Sequence, residues 1–215
     1  MEKLYARDYR KIASDKCAPY SNRLALIYFV YVLIISALSA LCYIGIGTIA
    51  LLLVTGPFTL GLVYVTIDVF KNTKPEVNRM FEGFKRFADA FVLYLLQQIF
   101  IALWSLLLVI PGIIKSYSYS MAYYIMNDSK EPISANDAIT ESRTLMDGHK
   151  WELFCLDISY IGWGILCLLT LGILSFWVQP KMAASKYAFY LHITGKDQVQ
   201  EAVIEEVIDT EVVSE

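Results

Sequence analysis

The sequence predicts an all-α protein: a polytopic membrane helix bundle, with about six transmembrane helices in three hairpins and amphipathic helices at the interface. Three observations carry this. Hydrophobic residues are 57% of the 215 and charged residues only 18%, against about 45–50% and about 25% in a soluble domain. Residues 24–67, 90–114 and 158–180 contain no Asp, Glu, Lys or Arg, and runs of about 18 or more such residues read as membrane-spanning helices. The basic loops between the apolar runs all fall on one face if the runs fold as hairpins, which is the pattern of the positive-inside rule.

Each element follows from local pattern. Residues 2–18 form an amphipathic helix, with Leu4, Tyr5, Tyr9, Ile12 and Ala13 on one face and Lys3, Arg7, Arg10 and Lys11 on the other. Such a helix can lie in the membrane interface, and Pro19 ends it. The first span is about 24–43. Gly45-Ile46-Gly47 turns the chain, and the second span, about 48–69, is interrupted at Gly56-Pro57. Over 76–89 the spacing of Val77, Met80, Phe81, Phe84, Phe87 and Ala88 predicts a second amphipathic helix. The third span is about 90–109, broken by Pro111-Gly112, and a more polar fourth occupies 113–126. Ser134 is the expected N-cap of a third amphipathic helix, 134–147, with Asp137 three residues on. Gly148 is its expected stop. The fifth span is about 151–170, Leu171-Gly172 is the break, and the sixth is about 173–192, interrupted at Pro180. A rival count of four or five spans leaves 113–126 re-entrant or interfacial and 181–193 outside the membrane.

The formal net charge of −3 conceals two parts. Residues 1–195, the membrane domain, hold 17 basic and 14 acidic residues; the tail, 196–215, holds one basic and seven acidic. Basic residues precede the first span and follow the second and fourth, which puts both termini and the acidic tail in the cytoplasm. The charged segment before the first span and that span's length argue against a cleaved leader, so the first span is expected to remain as an anchor. No basic stripe suggests nucleic acid. Cys17, Cys42, Cys155 and Cys167 form no C-x-x-C pair and suggest neither a disulfide framework nor zinc.

Charged groups inside apolar helices are functional candidates, because burial in hydrocarbon is costly. The candidate intramembrane polar residues are Lys115, Ser116, Ser120, Asp157 and Lys181. An Asp157–Lys181 pair on neighbouring antiparallel helices is one arrangement; a last span ending near Pro180, with Lys181 in water, is the other. Asp68 reads as a solvated helix end. Ser116 and Ser120, four apart, are either the polar wall of a cavity or a close helix-packing seam. Trp104, Trp163 and Trp177 read as interfacial. Arg79, Lys85 and Arg86 are candidate contacts for anionic headgroups. His149 reads as an interfacial polar residue. Gly45-Ile46-Gly47-Thr48-Ile49-Ala50 matches G-x-G-x-x-A, but it joins two membrane helices and lacks the strand that motif needs. No catalytic, metal or cofactor motif is visible; cofactors: none.

The segments Ile110-Pro111-Gly112 through Tyr124, Ala138-Ile139 to Met146, Gly148-His149-Lys150-Trp151 and Asp157 through Gly162-Trp163 resemble a bacterial integral-membrane family, the domain of unknown function 975 family. Phe81-Glu82-Gly83-Phe84 and Leu169-Thr170-Leu171-Gly172 fit it as well. The resemblance covers about residues 1–193. It implies a multi-pass membrane protein of uncharacterised function, distantly similar to the membrane domain beside some glycerophosphodiester phosphodiesterases, and supplies no catalytic residues. The expectation is a non-enzymatic structural or accessory protein of the bacterial cytoplasmic membrane. Its expected partners are anionic membrane lipids and a further membrane protein. The alternative is a transporter or lipid-handling protein with a polar intramembrane cavity.

Overall fold

A computed structural model describes residues 4–40, 47–129 and 133–196, and every regular element among them is helical. Residues 45 and 46 of the predicted first turn, Cys42, Lys130 and all of the acidic tail after Lys196 lie outside the described residues.

The chain opens with α1 (Ala6–Cys17), a 3-10 turn (Ala18–Tyr20) and α2 (Ser21–Ala40). Asp8 Oδ2 accepts the Tyr5 backbone N–H at 2.9 Å, which caps the start of α1. Pro19 does not end the helical run as expected. It sits in the first turn of the 3-10 segment, where its missing N–H costs no bond, and Ala6–Ala40 is one helical run of 35 residues. Tyr9, Ala13 and Cys17 share a buried face, while Tyr5, expected on it, is exposed at the cap.

The first return helix is α3 (Gly47–Phe70). The amphipathic segment at 76–89 is not one helix: it divides into α4 (Val77–Phe81) and a 3-10 segment (Glu82–Arg86), and α5 (Phe87–Leu107) follows. Close backbone approach explains the division. A Cβ on Gly61 would stand 1.8 Å from the Met80 carbonyl oxygen, and one on Gly83 would stand 2.0 Å from that of Pro57. The two glycines let α3 and the 82–86 segment meet backbone to backbone, with Phe58 between Phe81 and Phe84 edge-on.

The chain reverses at Leu108 into α6 (Val109–Tyr119), which packs along α5, and then breaks at Ser120-Met121 before α7 (Ala122–Asp128). The amphipathic α8 (Ala135–Leu145) begins at Ser134, whose Oγ accepts from Asp137 N at 3.2 Å. Gly148, at φ +85°, ends the turn that follows it. The predicted fifth span is broken at Tyr160 into α9 (Lys150–Ser159) and α10 (Ile161–Leu169). The next turn passes through Leu171 at φ +52° and Gly172 at φ +85°. α11 (Ser175–Ile193) then runs antiparallel to α1 and α2, pairing Phe176 with Phe29, Pro180 with Cys17 and Phe189 with Tyr9.

Among the described residues, four helical runs are long and apolar enough to cross a membrane: Ala6–Ala40, Gly47–Phe70, Val77–Leu106 and Lys150–Leu169. α6–α7 and α11 are not among them. α11 compensates by burial: Ala184, Ser185 and Tyr187–Leu191 all lie in the core. That core occupies one end of the molecule, where α1, α7, α8, the second half of α3 and the end of α11 meet. The opposite end is unpacked. Leu106, Ile110, Leu168 and Leu171 are 87%, 72%, 80% and 93% exposed, and α10 buries no residue at all.

Candidate functional site

The predicted polar residues do not converge on one cavity. Asp157 pairs with Lys186 (Nζ–Oδ1 3.1 Å) rather than with Lys181. Five residues turn a helix by about 140°, so Lys186 faces α9 while Lys181 faces α1 and the α9–α10 break. Lys115 stands alone on the α5–α6 hairpin, its Nζ 4.7 Å from the centre of the Trp104 ring. Ser116 is exposed, and Ser120 donates back to the Tyr117 carbonyl at 2.8 Å. The serine seam lies elsewhere, between Ser118 and Ser142, both buried.

The three candidate headgroup contacts are internally paired. Arg79 Nε bonds Asp68 Oδ2 at 2.8 Å and Arg79 also pairs with Glu82; Lys85 bonds Glu82 at 2.8 Å. Asp68 is thus not a solvated helix end but the anchor of α4 on α3. Arg86 pairs with Asp89 at 3.2 Å and donates to the Met126 carbonyl at 2.9 Å.

That last bond belongs to a wider pattern. A helix break in an apolar setting frees backbone groups that must find partners inside the protein. At the α6–α7 break, Gln97 Nε2 donates to the Tyr119 carbonyl at 2.8 Å. Ser142 Oγ donates to the Ser118 carbonyl at 2.8 Å and accepts the Met121 N–H at 3.2 Å. At the α9–α10 break, Arg10 Nη1 donates to the Ser159 carbonyl at 2.6 Å. Gln97 and Ser142 carry no sequence motif; the only signal was a glutamine within a charge-free run.

The α9–α10 break forms the floor of a cavity of about 470 Å³ between α1, α10 and α11. Tyr160 is locked there: Arg10 lies over its ring at 5.8 Å, and its hydroxyl meets Ser185 Oγ at 2.6 Å and the Lys181 carbonyl at 3.3 Å. Arg7, Arg10, Lys11 and Lys181 line one part of the cavity against a single carboxylate, Asp15. Ser14, Trp163, Leu174, Trp177 and Val178 complete the lining. Leu174 precedes Lys181 by seven residues, about 10 Å of helix, so the lining grades from cationic to apolar along α11. Among the described residues, Arg7, Lys11 and Lys181 make no ion pair. A second cavity, about 310 Å³ between α7, α8 and α11, includes Asp128, which already holds Lys196 and accepts from the Tyr190 hydroxyl at 3.0 Å.

Long apolar helices, breaks satisfied from within and a cleft graded from charge to hydrocarbon define an integral membrane protein. The chain belongs to the family described as protein of unknown function (DUF975), whose model matches residues 7–114 and 106–197. No curated protein and no solved structure matches it.

Proposed function

We propose that this is a lipid-handling membrane protein that holds an anionic amphiphile in the α1–α10–α11 cleft, by binding rather than by catalysis. One observation carries the reading: four cations at one end of a 470 Å³ cavity grade into two tryptophans and aliphatic side chains at the other. Such a lining complements a charged headgroup joined to an acyl chain, with tryptophan at the boundary. A purely accessory role, held by Arg79, Lys85 and Arg86 gripping the membrane surface, is less supported, because those charges are spent on Asp68, Glu82 and Asp89.

The same proposal includes six crossings in three hairpins, with α11 shielded by protein rather than facing lipid. Both termini then lie on the cytoplasmic side of a bacterial cell membrane, and the bundle is akin to the membrane domain beside some glycerophosphodiester phosphodiesterases. The basic loops at a single end of the bundle support the orientation.

The test is native mass spectrometry of the purified chain in mild detergent with added lipid. Anionic phospholipid should remain bound in preference to zwitterionic phospholipid, and Lys11→Gln with Lys181→Gln should abolish the preference. Equal retention of both lipids by the unaltered chain would refute the proposal.

A further inference from the structure

The charge balance of the cleft goes beyond a general preference for anions, and the step taken here rests on the lipid-handling reading. Of the four lining cations, Arg10 is committed to the Ser159 carbonyl and the Tyr160 ring. Arg7, Lys11 and Lys181 approach the same volume from two helices, and Asp15 alone opposes them. A phosphodiester headgroup carries one negative charge and would leave most of this charge unmatched. A phosphomonoester carries about −1.5 to −2 at neutral pH and offers three acceptor oxygens, which suits three unpaired donors of this kind. The apolar part of the lining requires that the phosphate be attached to a hydrocarbon chain.

We propose that the cleft selects a lipid with a terminal phosphomonoester headgroup over phosphodiester lipids, with Arg7, Lys11 and Lys181 around the phosphate and Trp163 and Trp177 beside the acyl chain.

The probes are phosphatidic acid and phosphatidylglycerol with brominated acyl chains, titrated against the full chain in mixed micelles with tryptophan fluorescence as the readout. Bromine quenches tryptophan on contact; with the exposed Trp104 and Trp151 replaced by phenylalanine in the parent chain, Trp163 and Trp177 report occupancy. Phosphatidic acid is expected to half-saturate at a concentration at least tenfold below phosphatidylglycerol. Arg7→Gln and Lys181→Gln, tested separately in variants that keep the parent's melting temperature, should each cut that preference at least threefold. A Trp163→Phe, Trp177→Phe variant should lose most of the saturable quenching.

Equal affinity for the two anionic lipids would overturn this selectivity while leaving the lipid-handling reading intact. Quenching no stronger than with brominated phosphatidylcholine would overturn both. Displacement of phosphatidic acid by an equal concentration of inorganic phosphate would show a site for free phosphate and overturn the lipid assignment.

Discussion

Ser142 is a small residue with a large structural share. It has no exposed surface, and its hydroxyl serves a carbonyl and an N–H on opposite sides of the α6–α7 break. Ser142→Ala should cost about 1–3 kcal/mol for each group left buried without a partner, read as a lowered melting temperature in detergent. Ser116→Ala, on an exposed position of α6, should change little. The contrast shows where residue-level reading of the sequence fails. A small-x-x-x-small spacing marks a helix face, but which face is buried depends on the phase of the neighbouring helix. The same holds for Lys181 and Lys186. They lie five residues apart on α11, and only packing decides that Lys186 reaches Asp157. Arg10 was visible as one of several cations on the polar side of α1; its bond to Ser159 needed the chain to close across 149 residues.

Elements were more legible than residues. The reversals fall beside Pro111-Gly112 and at Leu171-Gly172, where proline in the first turn of α6 and a glycine at positive φ suit a chain reversal, whereas the interruptions expected at Gly56-Pro57 and Pro180 are absent, because α3 and α11 run through them. The breaks at Tyr160 and Ser120-Met121 contain neither residue and are stabilised by distant side chains, so nothing nearby announces them. α11 misled for another reason. Its polar residues lower its average hydropathy, yet in its second half every residue from Ala184 to Leu191 except Lys186 is buried. The union of α3 with the 82–86 segment yields a sharp prediction. Gly61→Ala and Gly83→Ala each set a methyl against a backbone oxygen at 1.8–2.0 Å, and backbone cannot rotate aside as a side chain can. Each should cost about 3 kcal/mol, whereas Gly162→Ala, with nothing within 4 Å, should be neutral or slightly stabilising because alanine is the better helix former. Thermal unfolding in one detergent compares all three.

At the scale of the molecule, stability is concentrated at the end that carries the basic loops. Met80 and Leu153 are fully buried there. Their replacement by alanine should each cost about 2–5 kcal/mol, while Leu106→Ala and Leu168→Ala at the open end should fall within about 0.5 kcal/mol of the parent. The open end, where α10 buries no side chain, therefore carries structural information at few positions: Gly112, whose Cβ would meet Ser105, and Leu171-Gly172, which turn at positive φ. Away from those turns and from the cleft, any side chain that dissolves in hydrocarbon serves there, so substitutions among Leu, Ile, Val and Phe are interchangeable. Such a chain can drift in most of its exposed apolar sequence and still specify one fold, because the letters that must be read correctly are those of the packed end, the cleft and a few turns.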